Sequence, residues 1–192
     1  MCLAAAHCWS MDVSFSAASA ARAGAVVLPR RGLYGPRGWS VRAGVRPLLF
    51  GVFVDGPVDD YTPFHDLGPQ AAARLLQILP EAQLADRQNL APTLGSLLRA
   101  CARAGGRVRL SGYAIGPRRP DERVTVEALW ISDPDLLRME VHDEHDGDCR
   151  CRALWDTVRE RYGLDARALP DEMRPMRRHR THGPIGTWLW WD

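Results

Sequence analysis

Three stretches carry side chains that could do chemistry. The first is His142-Asp143-Glu144-His145-Asp146-Gly147-Asp148-Cys149-Arg150-Cys151, which gathers imidazole, carboxylate and thiol within ten residues. That is the donor set zinc takes, and His179 and His182 could complete four ligands with His142, His145 or Cys149. No pair has the Cys-x-x-Cys spacing of a zinc finger, however, and Cys151 is also wanted on the apolar stripe of the helix that follows. The acids then read as a solvated loop feeding a capped helix, and no metal or other cofactor is expected.

The second stretch is Asp55, Asp59, Asp60, His65 and Asp66. Paired carboxylates at the exit of a central strand suit Mg²⁺ in a hydrolase or nuclease. Asp-Gly-Pro and Asp-Asp are equally what a strand exit needs for its turn. The third is Arg174, Arg177, Arg178, His179, Arg180 and His182, followed by Trp188, Trp190 and Trp191. Guanidinium for phosphate and indole for base stacking make a nucleic-acid combination. The plainer reading is a basic loop leading to an aromatic segment docked on the core.

Composition removes several classes. All 25 basic residues are arginine, so a P-loop, a Schiff base and a kinase strand lysine all lack their amine. There is no Gly-x-Ser-x-Gly elbow and no Gly-x-Gly-x-x-Gly turn. A net charge of +2 is too mild to imply nucleic acid by itself. Five cysteines, an odd and sparse set, argue against a disulfide framework and for a reducing cytoplasm. No apolar run is long enough to suggest a membrane span.

The elements that would position these residues centre on Asn89 to Ile131. Leu90, Leu94, Leu97, Leu98 and Cys101 share one helix face, with Asn89 as the expected cap and Gly105-Gly106 as the stop. Val108 and Leu110 then begin a strand. Across the loop 116–120, Val124, Val126, Ala128 and Trp130 alternate with Thr125, Glu127 and Leu129 in a second. Leu48 to Val54 reads as a buried strand, 58–68 as a loop, and Pro69 to Leu79 as a helix. Residues 136–141 fit either a helical start or a short strand. A helix stripe of Cys151, Leu154, Trp155, Val158 and Tyr162, capped by Asp148, ends at Gly163, and 165–186 reads as irregular.

These signals predict an α+β fold: a small mixed or antiparallel sheet with three or more helices mainly on one face. Residues 1–45 read as a disordered leader or an over-extended start, with Met11 the true first residue, and 46–192 as one domain closed by a C-terminal aromatic clasp. The first functional expectation is a cytoplasmic binding or accessory module with an unidentified protein partner, no assembled catalytic site and no membrane contact. The alternatives are a metal-dependent hydrolase or nuclease using Asp55, Asp59 and Asp60, and a nucleic-acid binder using Arg177, Arg178 and Arg180.

Overall fold

In the computed structural model, the described residues are 31–49, 60–142, 149–179 and 182–192. The elements run α1 (Trp39–Arg42), α2 (Val45–Leu49), β1 (Tyr61–Leu67), α3 (Pro69–Ile78), α4 (Glu81–Leu84), α5 (Leu94–Arg103), β2 (Val108–Ile115), β3 (Arg123–Ile131), a 3₁₀ turn (Leu136–Arg138), α6 (Cys151–Tyr162), β4 (Glu172–Arg177) and β5 (Ile185–Trp190). The strands form one antiparallel sheet in the order β1-β2-β3-β5-β4. The fold is α+β, as the sequence predicts.

One face of the sheet carries the core. Phe64, Leu67, Val108, Leu110, Val124, Val126, Leu129, Ile131 and Leu189 point into it and meet Ala72 and Leu75 of α3, Leu94, Leu97, Leu98 and Cys101 of α5, and Leu154, Trp155 and Val158 of α6. Helices α3, α5 and α6 therefore bury the stripes their sequences present. On α6 the stop is Gly163 in the left-handed conformation, with Leu164 N–H donating to the Arg159 carbonyl at 3.0 Å.

Several expectations are corrected. Helix α5 begins five residues after Asn89, and Leu90 is exposed. Its cap is Thr93, whose hydroxyl accepts from Ser96 N–H at 3.3 Å. Asp165, far along the chain, accepts from Thr93 N–H at 2.7 Å and Ser96 Oγ at 2.6 Å, so a tertiary tether sets the start. Leu48 and Leu49 end helix α2 rather than opening a strand, and 50–54 lie outside the described residues. The loop expected at 58–68 contains edge strand β1, and the irregular stretch at 165–186 contains edge strand β4. Residues 136–138 form a single 3₁₀ turn.

The boundary expected at residue 45 falls inside packed structure. Trp39, Val45 and Leu49 join the core. Glu122, fully buried, accepts from Gly38 N–H at 2.6 Å, Ser40 N–H at 2.9 Å and Ser40 Oγ, which anchors α1 from 82 to 84 residues away. The described part of the expected leader thus belongs to the domain, and residues 1–30, with Met11, lie outside the described residues.

The simple alternation read for β3 also breaks. Ser111 pairs with Ala128 but Gly112 pairs with Val126, so Glu127 is an extra residue. Before this bulge Val124 and Val126 face the core; after it Leu129 and Ile131 do, and Ala128 and Trp130 turn outward. Gly112 permits the bulge, because a Cβ there would collide with the Thr125 carbonyl.

Candidate functional site

The outer face of the sheet holds a second apolar cluster: Ala128, Trp130 and Trp188, with Met176 and Trp190 packed against them. Every one of these residues lies in a strand, and among the described residues no helix contributes to the cluster. Successive side chains of a strand alternate faces, so Trp188 and Trp190 come outward while Leu189 and Trp191 enter the core, the split their spacing predicts. The aromatic segment docks on the domain as a strand. It is β5, an interior strand between β3 and β4.

Gly186 decides how Trp130 sits. A Cβ at that position would overlap the Trp130 ring, so the indole lies across β5 and its Nε1–H reaches the Met176 carbonyl on β4 at 2.9 Å. The tip of the β4–β5 hairpin follows the same curl. Arg178 donates from Nε and Nη2 to both carboxylate oxygens of Asp66 at 2.7 Å each, although Asp66 lies in β1 at the opposite edge. In a flat sheet those edges are about 19 Å apart, at roughly 4.8 Å per strand step. The contact requires the hairpin to coil back over the outer face, which leaves Trp130 and Trp188 buried there.

Beside this cluster is a cavity of about 350 Å³ lined by Trp188, Trp190, Met176, Glu172 and Arg174. In the register Glu172 lies opposite Trp190, and Arg174 opposite Trp188. Glu172 is ion-paired with Arg174 and accepts from Trp188 Nε1–H at 3.2 Å. The two indoles lie about 7 Å apart along the strand, and the contact with Glu172 fixes that of Trp188. The charge is bipolar. Asp171 and Asp192 lie beyond the Glu172 end, linked by Asp192 N–H donating to Asp171 Oδ2 at 2.9 Å. Burial and the Asp192 charge push nearby Glu127 above the usual carboxylate range. Arg177 and Arg178 lie at the other end.

The three sequence stretches fare differently. Arg177 donates to the Gly183 carbonyl at 3.0 Å, Arg178 is committed to Asp66, and Arg180 lies outside the described residues. His179 and His182 stack on one another at 4.9 Å at the hairpin tip. Of the carboxylate set, Asp55 and Asp59 lie outside the described residues. Asp60 is buried in the left-handed conformation. Its carbonyl accepts from Gly116 N–H at 2.7 Å and its carboxylate from Arg118 N–H, with Arg118 Nε at 3.5 Å. That carboxylate organises the β2–β3 turn.

In the thiol stretch, 143–148 with His145 and the expected cap Asp148 lie outside the described residues. His142 N–H lies 3.5 Å from Cys149 Sγ, and its imidazole lies 3.7 Å from Glu140. Among the described residues no group of three or more His, Cys, Asp or Glu side chains is gathered as a metal site.

Sequence reading missed the roles of Glu122, Asp133 and Asp165. Asp133 accepts from Arg161 at 2.7 Å and Tyr162 Oη at 2.6 Å, tying α6 to the chain after β3. No local signal marks any of these three, since each partner is distant in sequence. Compared with protein-family models, curated proteins and solved structures, the chain matches none of them.

Proposed function

We propose that this protein is a binding module that takes a peptide segment of a protein partner in the groove formed by Trp188, Trp190, Met176, Glu172 and Arg174. One observation carries the reading: an indole-walled cavity of about 350 Å³ opens on the sheet face that no described helix packs against. Aromatic walls with a few placed polar groups are the usual chemistry of a recognition groove. Strand addition at the sheet margins is a poorer route. Both edge strands are interrupted by proline, Pro63 in β1 and Pro175 in β4, which removes a backbone donor from each.

Charge favours a peptide over nucleic acid. A phosphate backbone is uniformly negative, and Asp171 and Asp192 beyond the Glu172 end would repel it there. Arg174 and Arg178 are already paired with carboxylates. A peptide with an acidic residue near Arg177 and basic residues near Asp171 and Asp192 complements both ends. Catalysis at the carboxylate stretch has less support, because Asp60 is spent on the turn. The odd and sparse cysteine set accords with a cytoplasmic setting, and among the described residues no helix is long and apolar enough to cross a membrane.

The test is selection from a random peptide library on the immobilised full chain, followed by tryptophan-fluorescence titration. Convergent peptides carrying both charges around an apolar anchor are expected, with Trp190→Ala weakening them at least about tenfold while the melting temperature moves little. Trp190 is the suitable target because it is only half-buried. Tight binding of single-stranded DNA with steep salt dependence, or selected peptides indifferent to Trp190→Ala, would sink the proposal.

A further inference from the structure

Cys149 and Cys151 are the part of the thiol stretch that the groove does not use. They flank Arg150 at the entry to α6, where Arg150 adopts φ −90° and ψ 16°. A residue bent in this way brings its two neighbours close, within the Cα separation of about 4.4–6.8 Å that a disulfide spans. The two side chains are near enough that the Cys149 thiol raises the pKa of Cys151. Both are half-buried, so a small reagent can reach them. The turn is held in place, with Arg150 N–H donating to the Glu140 carbonyl at 3.0 Å and Cys149 Sγ lying against the His142 backbone. Cys151 is the first residue of α6, where backbone N–H groups, including that of Arg152, point at its sulfur and stabilise negative charge on it.

The third described cysteine shows what a structural thiol looks like in this fold. Cys101 is fully buried between α5 and the sheet, and lies within 3.5 Å of the Leu67 and Val108 carbonyls. Burial pushes its pKa up to about 12. It has no access, and no partner sulfur among the described residues. Cys149 and Cys151 have both.

We propose that Cys149 and Cys151 form a reversible dithiol–disulfide couple whose co-reactant is a low-molecular-weight disulfide. One protein thiolate attacks the small disulfide, forms a mixed disulfide and expels one small thiolate. The second protein thiolate then attacks the protein sulfur of that mixed disulfide. The protein S–S bond forms, the bond to the small molecule breaks and a second small thiolate leaves. The protein loses two electrons and two protons, and the small disulfide gains both as two thiols. A ring closed across a single intervening residue is strained, which makes it easily reduced and suits it to cycling rather than to stapling the fold. Burial, and then the neighbouring Cys149 thiol, hold the Cys151 thiol above the usual cysteine range.

The test uses the full chain carrying Cys2→Ser and Cys8→Ser, so that only the three described cysteines remain. It is incubated natively with oxidised glutathione, alkylated and read by intact mass. Expected is the joint loss of two alkylatable thiols with no retained glutathione, reversed by reduced glutathione. Adding Cys149→Ser or Cys151→Ser removes the second attack, so each should retain a stable glutathione adduct. A parent that keeps the adduct, pairs chain to chain, or shows unchanged alkylation overturns the proposal. The melting curve of each variant shows that it is folded.

Discussion

The two faces of the sheet are both rich in large apolar side chains, yet they are organised by different means. On the inner face Leu129, Ile131 and Leu189 are covered by helices whose own stripes interlock with them. On the outer face Trp130 and Trp188 are buried with no described helix above them, because the β4–β5 hairpin coils over and Gly186 makes room. The inner face is closed by packing between layers; the outer is closed by the sheet curling on itself. A curled edge retains a seam, and the groove at Trp190 is that seam. A face can thus shelter most of its apolar area and still keep a small recognition surface.

Removing residues 187–192 should have the largest effect. These residues hold most of β5, and without them β4 loses most of its pairing among the described residues and β3 is left with β2 alone. Both faces would open at once, so the shortened chain should show no cooperative thermal transition by circular dichroism. A variant that melts like the parent would mean that β5 is dispensable and the comparison false.

Leu129→Ala tests the inner face alone. The side chain is 1% exposed, and its loss should cost about 2–4 kcal/mol through lost burial and a residual cavity. Chemical denaturation would read this as a lower midpoint with the slope unchanged.

Arg178→Ala tests the outer closure. The pair with Asp66 is bidentate and part-buried, so its loss should cost less, on the order of 1 kcal/mol after solvent screening. Its signature should be local, with faster hydrogen exchange at 176–179 and 182–186 and unchanged protection in α5. Uniform loss of protection across both faces would show that the hairpin is part of the common core.

How much was legible depended on the range of the forces involved. Stripes on α3, α5 and α6 need only the helical repeat, and the opposed faces of Trp188 and Leu189 need only the strand repeat, so these could be read from neighbouring residues. The same holds for the stop at Gly163, where a single left-handed residue suffices. The start of α5 could not be read, because Asp165 lies 72 residues from Thr93. Nor could the outward turn of Ala128 and Trp130, because a bulge reverses the alternation within one strand and is set by its partner Gly112. Asp60 and Arg178 looked like site residues by type, but their roles come from partners on other elements.

The sequence by itself determined which segments have an apolar side and which side that is, since side-chain periodicity is a local property of the backbone. Tertiary structure alone decided that β5 runs between β3 and β4, that β1 and β4 form the edges, and that a groove remains where the hairpin curls. Those outcomes depend on hydrogen-bond ladders between distant residues and on whether a neighbouring strand offers space, as Gly186 does for Trp130. No spacing within a single segment encodes them, because the interactions exist only once the strands have met.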